Sequence, residues 1–407
     1  MNLELIRNDF PILSQKDGAP IIYFDNAATV QRPLPVLAAV REYATHDNGN
    51  PHRGAHRFSI AASAAYDGSK EIVRDFIGAQ NAAEIIYTRN TTESLNLVAR
   101  SYGETHLHAG DKILIPVSEH HSNLVPWQRV AKKTGATLEY LYIDKETGLV
   151  PENELSKIDD SAVKIFAFAE VSNVLGIDFD PKPWIRRAHA HGAVVVVDAA
   201  QSTPHKPIDV TAMDCDFFAF SGHKMGALGG IGVLYGKQAL LEEMEPFLLG
   251  GDMIDTVAEQ ETEWAPLPAK FEAGTQYVEG AVSLTAAVSY LQAVGFSDIR
   301  RQEKKLTERA LRGLLSIPHI RVIGPTDPAQ KEGLVAFTVD DVHPHDVTEL
   351  LSADGICIRT GHHCAEPLHR YLGIGASCRA SFWFYNTESE VDTFLEKLSD
   401  VRRKMGY

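Results

Sequence analysis

Two side chains near the middle of the chain are spaced to share one piece of chemistry. The apolar run Ala193-Val194-Val195-Val196-Val197 ends in Asp198, and Phe218-Ala219-Phe220-Ser221-Gly222-His223 leads into Lys224. Each run reads as a buried strand, which places a carboxylate and an amine at one edge of a parallel sheet. Pyridoxal phosphate uses that pair. It needs a lysine to form the Schiff base and an acid to keep its pyridine nitrogen protonated. A second cluster lies far downstream, in Arg359-Thr360-Gly361-His362-His363-Cys364-Ala365, a thiol among histidines with a guanidinium five residues before it.

Ligands of open α/β sheets bind beyond the carboxyl ends of the strands. Thr88 is followed by Arg89-Asn90-Thr91-Thr92-Glu93, with a helical pattern beginning at Ser94. Adjacent threonines at a helix start suit a phosphate, and they also suit an ordinary helix cap. His120, in Ser118-Glu119-His120-His121-Ser122-Asn123, is placed to stack on an aromatic cofactor and shuttle protons; a surface loop histidine is the plainer reading. Asn173, in Glu170-Val171-Ser172-Asn173, is placed to donate to a ring oxygen. Asp198 could equally cap the next helix, and Lys224 could be a surface lysine. Donors at five successive strand ends are hard to assign to chance.

Cys364 has three readings: a buried structural thiol, part of a metal site, or a nucleophile. The metal reading lacks a partner Cys or His at a familiar zinc spacing, so no metal is expected. The nucleophile is favoured by the glycine-flanked loop and the cations near it. Cys215 and Cys357 sit in strand patterns and read as structural. Arg359 and Arg379 bracket the Cys364 loop, and two guanidiniums suit carboxylate recognition or a pair of surface salt bridges.

The elements that must position these residues are legible. Short β-branched runs alternate with helical patterns from about residue 80 to 235, the mark of βαβ units and a mostly parallel sheet flanked by helices. Strands are expected at 84–88, 112–116, 138–142, 163–168, 193–197, 216–220 and 232–235, and helices at 60–76 and 183–191. Residues 247–275 read as loops or a hairpin, and 279–294 as a long helix. Beyond Gly295 the pattern becomes α+β, with strands at 320–323, 334–339, 356–358 and 380–384 and helices at 345–353 and 388–404. The chain is therefore expected to be α/β. It divides into a large cofactor-binding domain, residues 1–294, whose N-terminal segment is expected to pack on the small domain, and that small C-terminal domain, residues 295–407, which carries the cysteine loop.

A chain of 407 residues is long for one ordinary core. A net charge of −15 argues against a nucleic-acid surface. Four scattered cysteines make no disulfide framework and point to a reducing compartment. The first residues lack a signal-peptide pattern and no apolar run approaches a membrane span, so the expected location is the cytoplasm.

With these residues in view, the chain resembles the SufS-type group II cysteine desulfurases, within the class V, fold type I pyridoxal-phosphate enzymes. The resemblance rests on Tyr23-Phe24-Asp25-Asn26-Ala27-Ala28, His52-Arg53-Gly54-Ala55-His56, Asn90-Thr91-Thr92-Glu93, Glu119-His120-His121-Ser122-Asn123 and Val171-Ser172-Asn173-Val174-Leu175-Gly176. It continues in Asp198-Ala199-Ala200-Gln201, Ser221-Gly222-His223-Lys224, Phe271-Glu272-Ala273-Gly274-Thr275, the Cys364 motif and Arg379-Ala380-Ser381-Phe382. The Cys364 motif is the most specific, because aminotransferases have no use for that cysteine.

The resemblance implies an L-cysteine desulfurase. It would make L-alanine and a persulfide on Cys364 that feeds iron–sulfur cluster assembly. Lys224 would hold pyridoxal 5′-phosphate and move the Cα proton, Asp198 would pair the pyridine nitrogen, Gln201 the ring hydroxyl, and His120 would stack on the ring. Thr91, Thr92, Ser221 and His223 would hold the phosphate with Thr275 of a neighbouring subunit, which implies a homodimer. Asn173, Arg359 and Arg379 would bind the substrate. His345 would meet a SufU-type sulfur acceptor, the alternative acceptor being of SufE type. A selenocysteine lyase shares all these residues, and a catalytically silent cofactor-binding scaffold is a rival of another class. The chain departs from the usual pattern at Met225-Gly226-Ala227-Leu228-Gly229-Gly230 and at Gln276-Tyr277.

Overall fold

The computed structural model describes residues 2–14 and 21–407. A seven-stranded sheet frames the larger part. Its strands are β1 (Ile85–Thr88), β2 (Lys112–Pro116), β3 (Thr137–Leu141), β4 (Val163–Ala169), β5 (Val194–Asp198), β6 (Phe217–Ser221) and β7 (Gly232–Gly236). They lie in the order β1-β7-β6-β5-β4-β2-β3. β7 runs against both its neighbours and every other pair is parallel. All seven form where the sequence places them, with ends shifted by no more than a residue.

Alternation along each strand feeds two cores, one per face of the sheet. Phe166, Phe168, Val195, Val197, Phe218 and Phe220 pack on one face with Tyr66, Val73, Ile185, Leu284 and Val288. Ile165, Ala167, Val196, Phe217 and Ala219 pack on the other with Leu95, Trp127, Val130 and Leu241. Burial on both faces explains why these strands read as nearly continuous apolar runs. The helix Arg57–Ile77 buries Ala62, Tyr66, Val73 and Phe76, and stops at Gly78, which takes φ +67°.

A four-stranded antiparallel sheet follows: β8 (Ile320–Ile323), β9 (Leu334–Val339), β10 (Arg359–Gly361) and β11 (Ser377–Ser381), in the order β8-β9-β11-β10. With helices Phe296–Ser316, Pro344–Ala353 and Glu388–Ser399 it encloses its own apolar cluster around Leu311, Phe337, Ala380 and Phe394. Three boundaries differ from the sequence reading. The last strand ends at Ser381, not residue 384. Phe382, Trp383, Phe384 and Tyr385 are all buried, but as a turn in which the Trp383 amide donates to Asn386 Oδ1 at 2.9 Å. Residues 356–358 divide, Ile356–Cys357 pairing with Ile22–Tyr23 before the chain enters β10. The final helix breaks at Asp400. In the region read as loops or a hairpin, residues 254–257 and 262–264 pair as a hairpin.

The N-terminal segment is bound to this second sheet. Phe24 packs against Phe382 and Phe394. The Ser381 amide donates to the Phe24 carbonyl at 2.7 Å, and Asn26 Nδ2 donates to the Ser381 carbonyl at 2.7 Å. These bonds place Asp25 beside Arg359 and Arg379. No helix among the described residues is long and apolar enough to cross a membrane.

Candidate active site

One cavity of about 240 Å³ opens where the strand ends of the large sheet meet the loop after β10. Thr91, Thr92, His120, Asn173, Asp198, Gln201, Ser221, His223, Lys224, Arg359, Cys364 and Arg379 all border it. Twelve of the fourteen residues singled out in the sequence therefore meet at one place. Thr275 is exposed outside the cavity of its own chain, and His345 is exposed on the helix Pro344–Ala353.

Asp198 ends β5 and is 5 % exposed. Its Oδ1 accepts the Ala200 amide at 3.0 Å. Burial raises its pKa, against the pull of Lys224. Lys224 lies in the turn after β6. Burial brings its ammonium down to about 8, although Asp198 favours the charged form. Among the described residues no hydrogen bond engages that ammonium. An amine poised near neutrality, with no partner, is available to bind an aldehyde.

His120 Nδ1 accepts the Ser122 amide at 3.1 Å, so a neutral ring carries its proton on Nε2. Burial and the Lys224 charge hold its pKa down to about 3. A neutral ring with a fixed tautomer suits stacking. Gln201 Nε2 donates to the Ala27 carbonyl at 2.8 Å, which spends one of its two N–H groups and fixes its direction.

At the other end the helix Thr91–Leu97 begins three residues earlier than its pattern suggests. Asn90 caps it, its Oδ1 accepting the Glu93 amide at 3.0 Å. The early start sets Thr91 and Thr92 in the first turn, with the positive end of the helix at the cavity. Ser221 Oγ accepts the Thr91 amide at 2.8 Å, and the Thr92 and Ser122 hydroxyls are 2.7 Å apart. Gly232 permits this arrangement, since a Cβ there would stand 2.5 Å from Asn90 Cα. His223 is held by Thr29 at 3.2 Å, and burial brings its pKa down to about 4.

The side of the cavity that carries Cys364 is built from β10, β11 and the loop between them. Arg379 is 2 % exposed; it donates through Nη1 to the Asn173 carbonyl at 2.8 Å and through Nη2 to Asp25 at 3.3 Å. Its Nε is buried without a partner among the described residues. Arg359 Nη1 lies 3.6 Å from Asp25. Burial brings the Arg379 pKa down to about 10, with Asp25 opposing it. His363 and Cys364 both hold positive φ, 50° and 57°. Two successive non-glycine residues in that region are strained by about 1–3 kcal/mol each and need support. Asn173 Nδ2 donates to the His363 carbonyl at 2.7 Å, and the His121 amide donates to the Cys364 carbonyl at 2.6 Å. Asn173 thus spends one amide N–H on the cysteine loop, a use the sequence reading did not foresee.

This donor set fits pyridoxal 5′-phosphate. A buried carboxylate faces an unpartnered lysine, a helix start with hydroxyls lies at one end, and an unsatisfied buried guanidinium Nε lies at the other. Among the described residues no group of three or more His, Cys, Asp or Glu could hold a metal ion.

The sequence pattern of class-V aminotransferases matches residues 22–394. The chain belongs to the class-V aminotransferase family. Among curated members of the family, a probable cysteine desulfurase of Halalkalibacterium halodurans is 46 % identical over 408 residues, covering 100 % of both chains. One from Synechocystis is 46 % identical over 400 residues, covering 98 % of this chain and 95 % of that one. Among solved members, the apo cysteine desulfurase of Thermococcus onnurineus superposes with a TM-score of 0.92 at 40 % identity, covering 98 % of each chain. The cysteine desulfurase CsdA of Escherichia coli does so with 0.90 at 36 % identity, covering 99 % of each chain.

Several residues of the site were missed in this class-V chain. Asp25 stood in a quoted motif, but its ion pairs with Arg359 and Arg379 span more than 300 residues and have no local signal. His121 Nε2 accepts the Glu366 amide at 3.1 Å and so braces the far side of the cysteine loop. Glu119 lies beneath the site, accepting from Asn123 Nδ2 at 2.6 Å and the Ala169 amide at 3.0 Å. Burial raises its pKa to about 8. His363 borders the cavity beside Cys364.

Proposed function

We propose that the chain is an L-cysteine desulfurase that moves sulfur from L-cysteine to Cys364, releases L-alanine and supplies sulfur for iron–sulfur cluster assembly. The observation that carries this reading is a cysteine on a strained, braced loop bordering the same cavity as Lys224 and Asp198. The direct test is alanine and sulfide formation from L-cysteine in the presence of a thiol reductant. Alanine is expected in step with sulfide; alanine without sulfide, or neither product, contradicts the reading.

Bound pyridoxal 5′-phosphate supplies the electron sink that lets the Cα proton of an amino acid leave. Lys224 takes and returns that proton. Asp198 would pair the pyridine nitrogen, Gln201 the ring hydroxyl, and His120 would lie against the ring. Thr91, Thr92, Ser221 and His223 would hold the phosphate. Arg379 offers its free Nε to the substrate carboxylate, with Asn173 and Arg359 beside it. The Cys364 sulfur then bonds to the substrate sulfur while the Cβ–S bond breaks. Its electron pair stays with the carbon skeleton, which leaves as alanine. Residues 1–294 and 295–407 act as two domains, and the cysteine loop belongs to the second.

The site is completed in a homodimer. The loop carrying Thr275 is firmly anchored: Glu272 pairs with buried Lys70 at 2.6 Å and accepts from Tyr66 and the Tyr87 amide. Gln276, where the usual pattern differs, donates to the Glu272 and Gly274 carbonyls and accepts from Tyr66. The Gly274 amide meets the Gly251 carbonyl, and Asp252 next to it pairs with Arg53 at 2.7 Å. Exposed Phe58, Ile60, Leu249 and Tyr277 lie on these same segments, 40–68 % exposed. Apolar surface of that kind marks an interface. Sedimentation is expected to give a dimer, with Thr275→Ala weakening cofactor retention. A fully active monomer would overturn the shared site.

The sulfur acceptor is a small zinc protein, and His345 is its contact. His345 lies nineteen positions before Cys364, exposed at the start of its helix, its ring stacked on His343 at 5.3 Å. An exposed neutral imidazole is a good zinc ligand, and exchange for a thiolate of the acceptor would free that thiolate on docking. His345→Ala is expected to keep basal desulfurase activity and lose stimulation by the acceptor. Undiminished stimulation would leave His345 a helix-start residue.

A further inference from the structure

The hydrogen bonds around His363 fix its tautomer. His369 Nδ1 lies 3.0 Å from the Ala365 carbonyl, which can only accept, so His369 carries its proton on Nδ1. Its Nε2 is then an acceptor, and the Ser377 hydroxyl 2.9 Å away must donate to it. Having spent its proton, Ser377 Oγ can only accept from His363 Nε2, also at 2.9 Å. His363 therefore carries its proton on Nε2. Among the described residues its Nδ1 is a bare lone pair, buried and without a partner, in a residue that is 4 % exposed and borders the cavity beside Cys364. A buried acceptor left unsatisfied is costly unless a ligand completes it.

The proposed substrate offers few donors. Its carboxylate only accepts and is taken by Arg379, and its amino group is committed to the cofactor. The thiol S–H remains. We propose that His363 Nδ1 accepts a hydrogen bond from the substrate thiol and so favours cysteine over selenocysteine. This rests on the desulfurase reading.

The physical logic concerns charge. Burial and the Arg379 cation hold the His363 pKa down to about 2, so the ring orients the S–H without removing its proton. The substrate sulfur stays uncharged, which an attacking thiolate requires. The Cys364 sulfur forms the new S–S bond, the Cβ–S bond breaks with its pair going to carbon, and the thiol hydrogen remains on the transferred sulfur. No oxidant or extra base is needed. A selenol is ionised at neutral pH and has no hydrogen to donate, so it gains nothing from His363.

The test compares kcat/KM for alanine formation from L-cysteine and from L-selenocysteine, without oxygen, using the holoenzyme, His363→Leu and Ser377→Ala. The serine variant keeps the imidazole but releases its tautomer, which guards against a folding defect in the leucine variant. Both variants are expected to lose about fivefold to tenfold on cysteine and less than about twofold on selenocysteine, the scale of one neutral hydrogen bond. Their cofactor absorbance should match the wild type. Equal losses on both substrates, or no loss in either variant, overturn the proposal. A wild-type enzyme that makes no alanine from cysteine overturns the desulfurase reading instead.

Discussion

Replacing Lys224 with alanine is expected to abolish turnover, by more than about a thousandfold, and to remove the covalent link to the cofactor. The size follows from the two roles proposed for one amine, binding the cofactor aldehyde and moving the Cα proton, where acid–base catalysis alone is worth about 10²–10⁴-fold. Burial brings Lys224 down to about 8, so a substantial fraction of the amine is neutral just above neutral pH. Borohydride reduction of the wild type, followed by peptide mass spectrometry, should fix the cofactor to Lys224. A reducible lysine adduct that survives in the variant would show the assignment to be wrong.

Cys364→Ser is the second large effect. It should keep the cofactor spectrum and lose sulfide release from L-cysteine by more than about a hundredfold, because a hydroxyl cannot hold transferred sulfur. The other three thiols are poor substitutes. Burial pushes Cys215 and Cys378 well up and Cys357 up, which keeps them protonated. Cys364 alone borders the cavity. Selenocysteine turnover is expected to outlast the substitution, since selenium leaves carbon more readily. Sulfide release at the wild-type rate from Cys364→Ser would place the acceptor elsewhere.

The parts of the site that lie at strand ends were legible in the sequence for a physical reason. A strand buried on both faces must be apolar along its length, so Asp198 at the end of β5 and Lys224 just beyond β6 stand out as charged groups. The helix start at Thr91 was blurred because Asn90, Thr91 and Thr92 all suit caps or first-turn positions; only the Asn90 bond to the Glu93 amide decides between them. The end of β11 was misplaced because Phe382-Trp383-Phe384 has a strand's composition. Its burial comes from the aromatic cluster around Phe10 and Tyr385, not from sheet pairing. Asp25 was invisible because its partners Arg359 and Arg379 lie far along the chain, and the His363–Ser377–His369 relay because it joins a loop, a helix and a strand that only the fold brings together. Ser377 reads as an unremarkable small residue until two imidazoles are found on its hydroxyl.

The proposed transfer takes sulfur from cysteine to Cys364 in a cavity bordered by Lys224 and Asp198. It is tested most directly by incubating the holoenzyme with L-cysteine without reductant or acceptor, trapping thiols by alkylation, and mapping peptides by mass spectrometry. One additional sulfur atom is expected on the Cys364 peptide, formed together with an equal amount of alanine. Additional sulfur on Cys215, Cys357 or Cys378 in place of Cys364, or alanine formed with Cys364 unchanged, would contradict it.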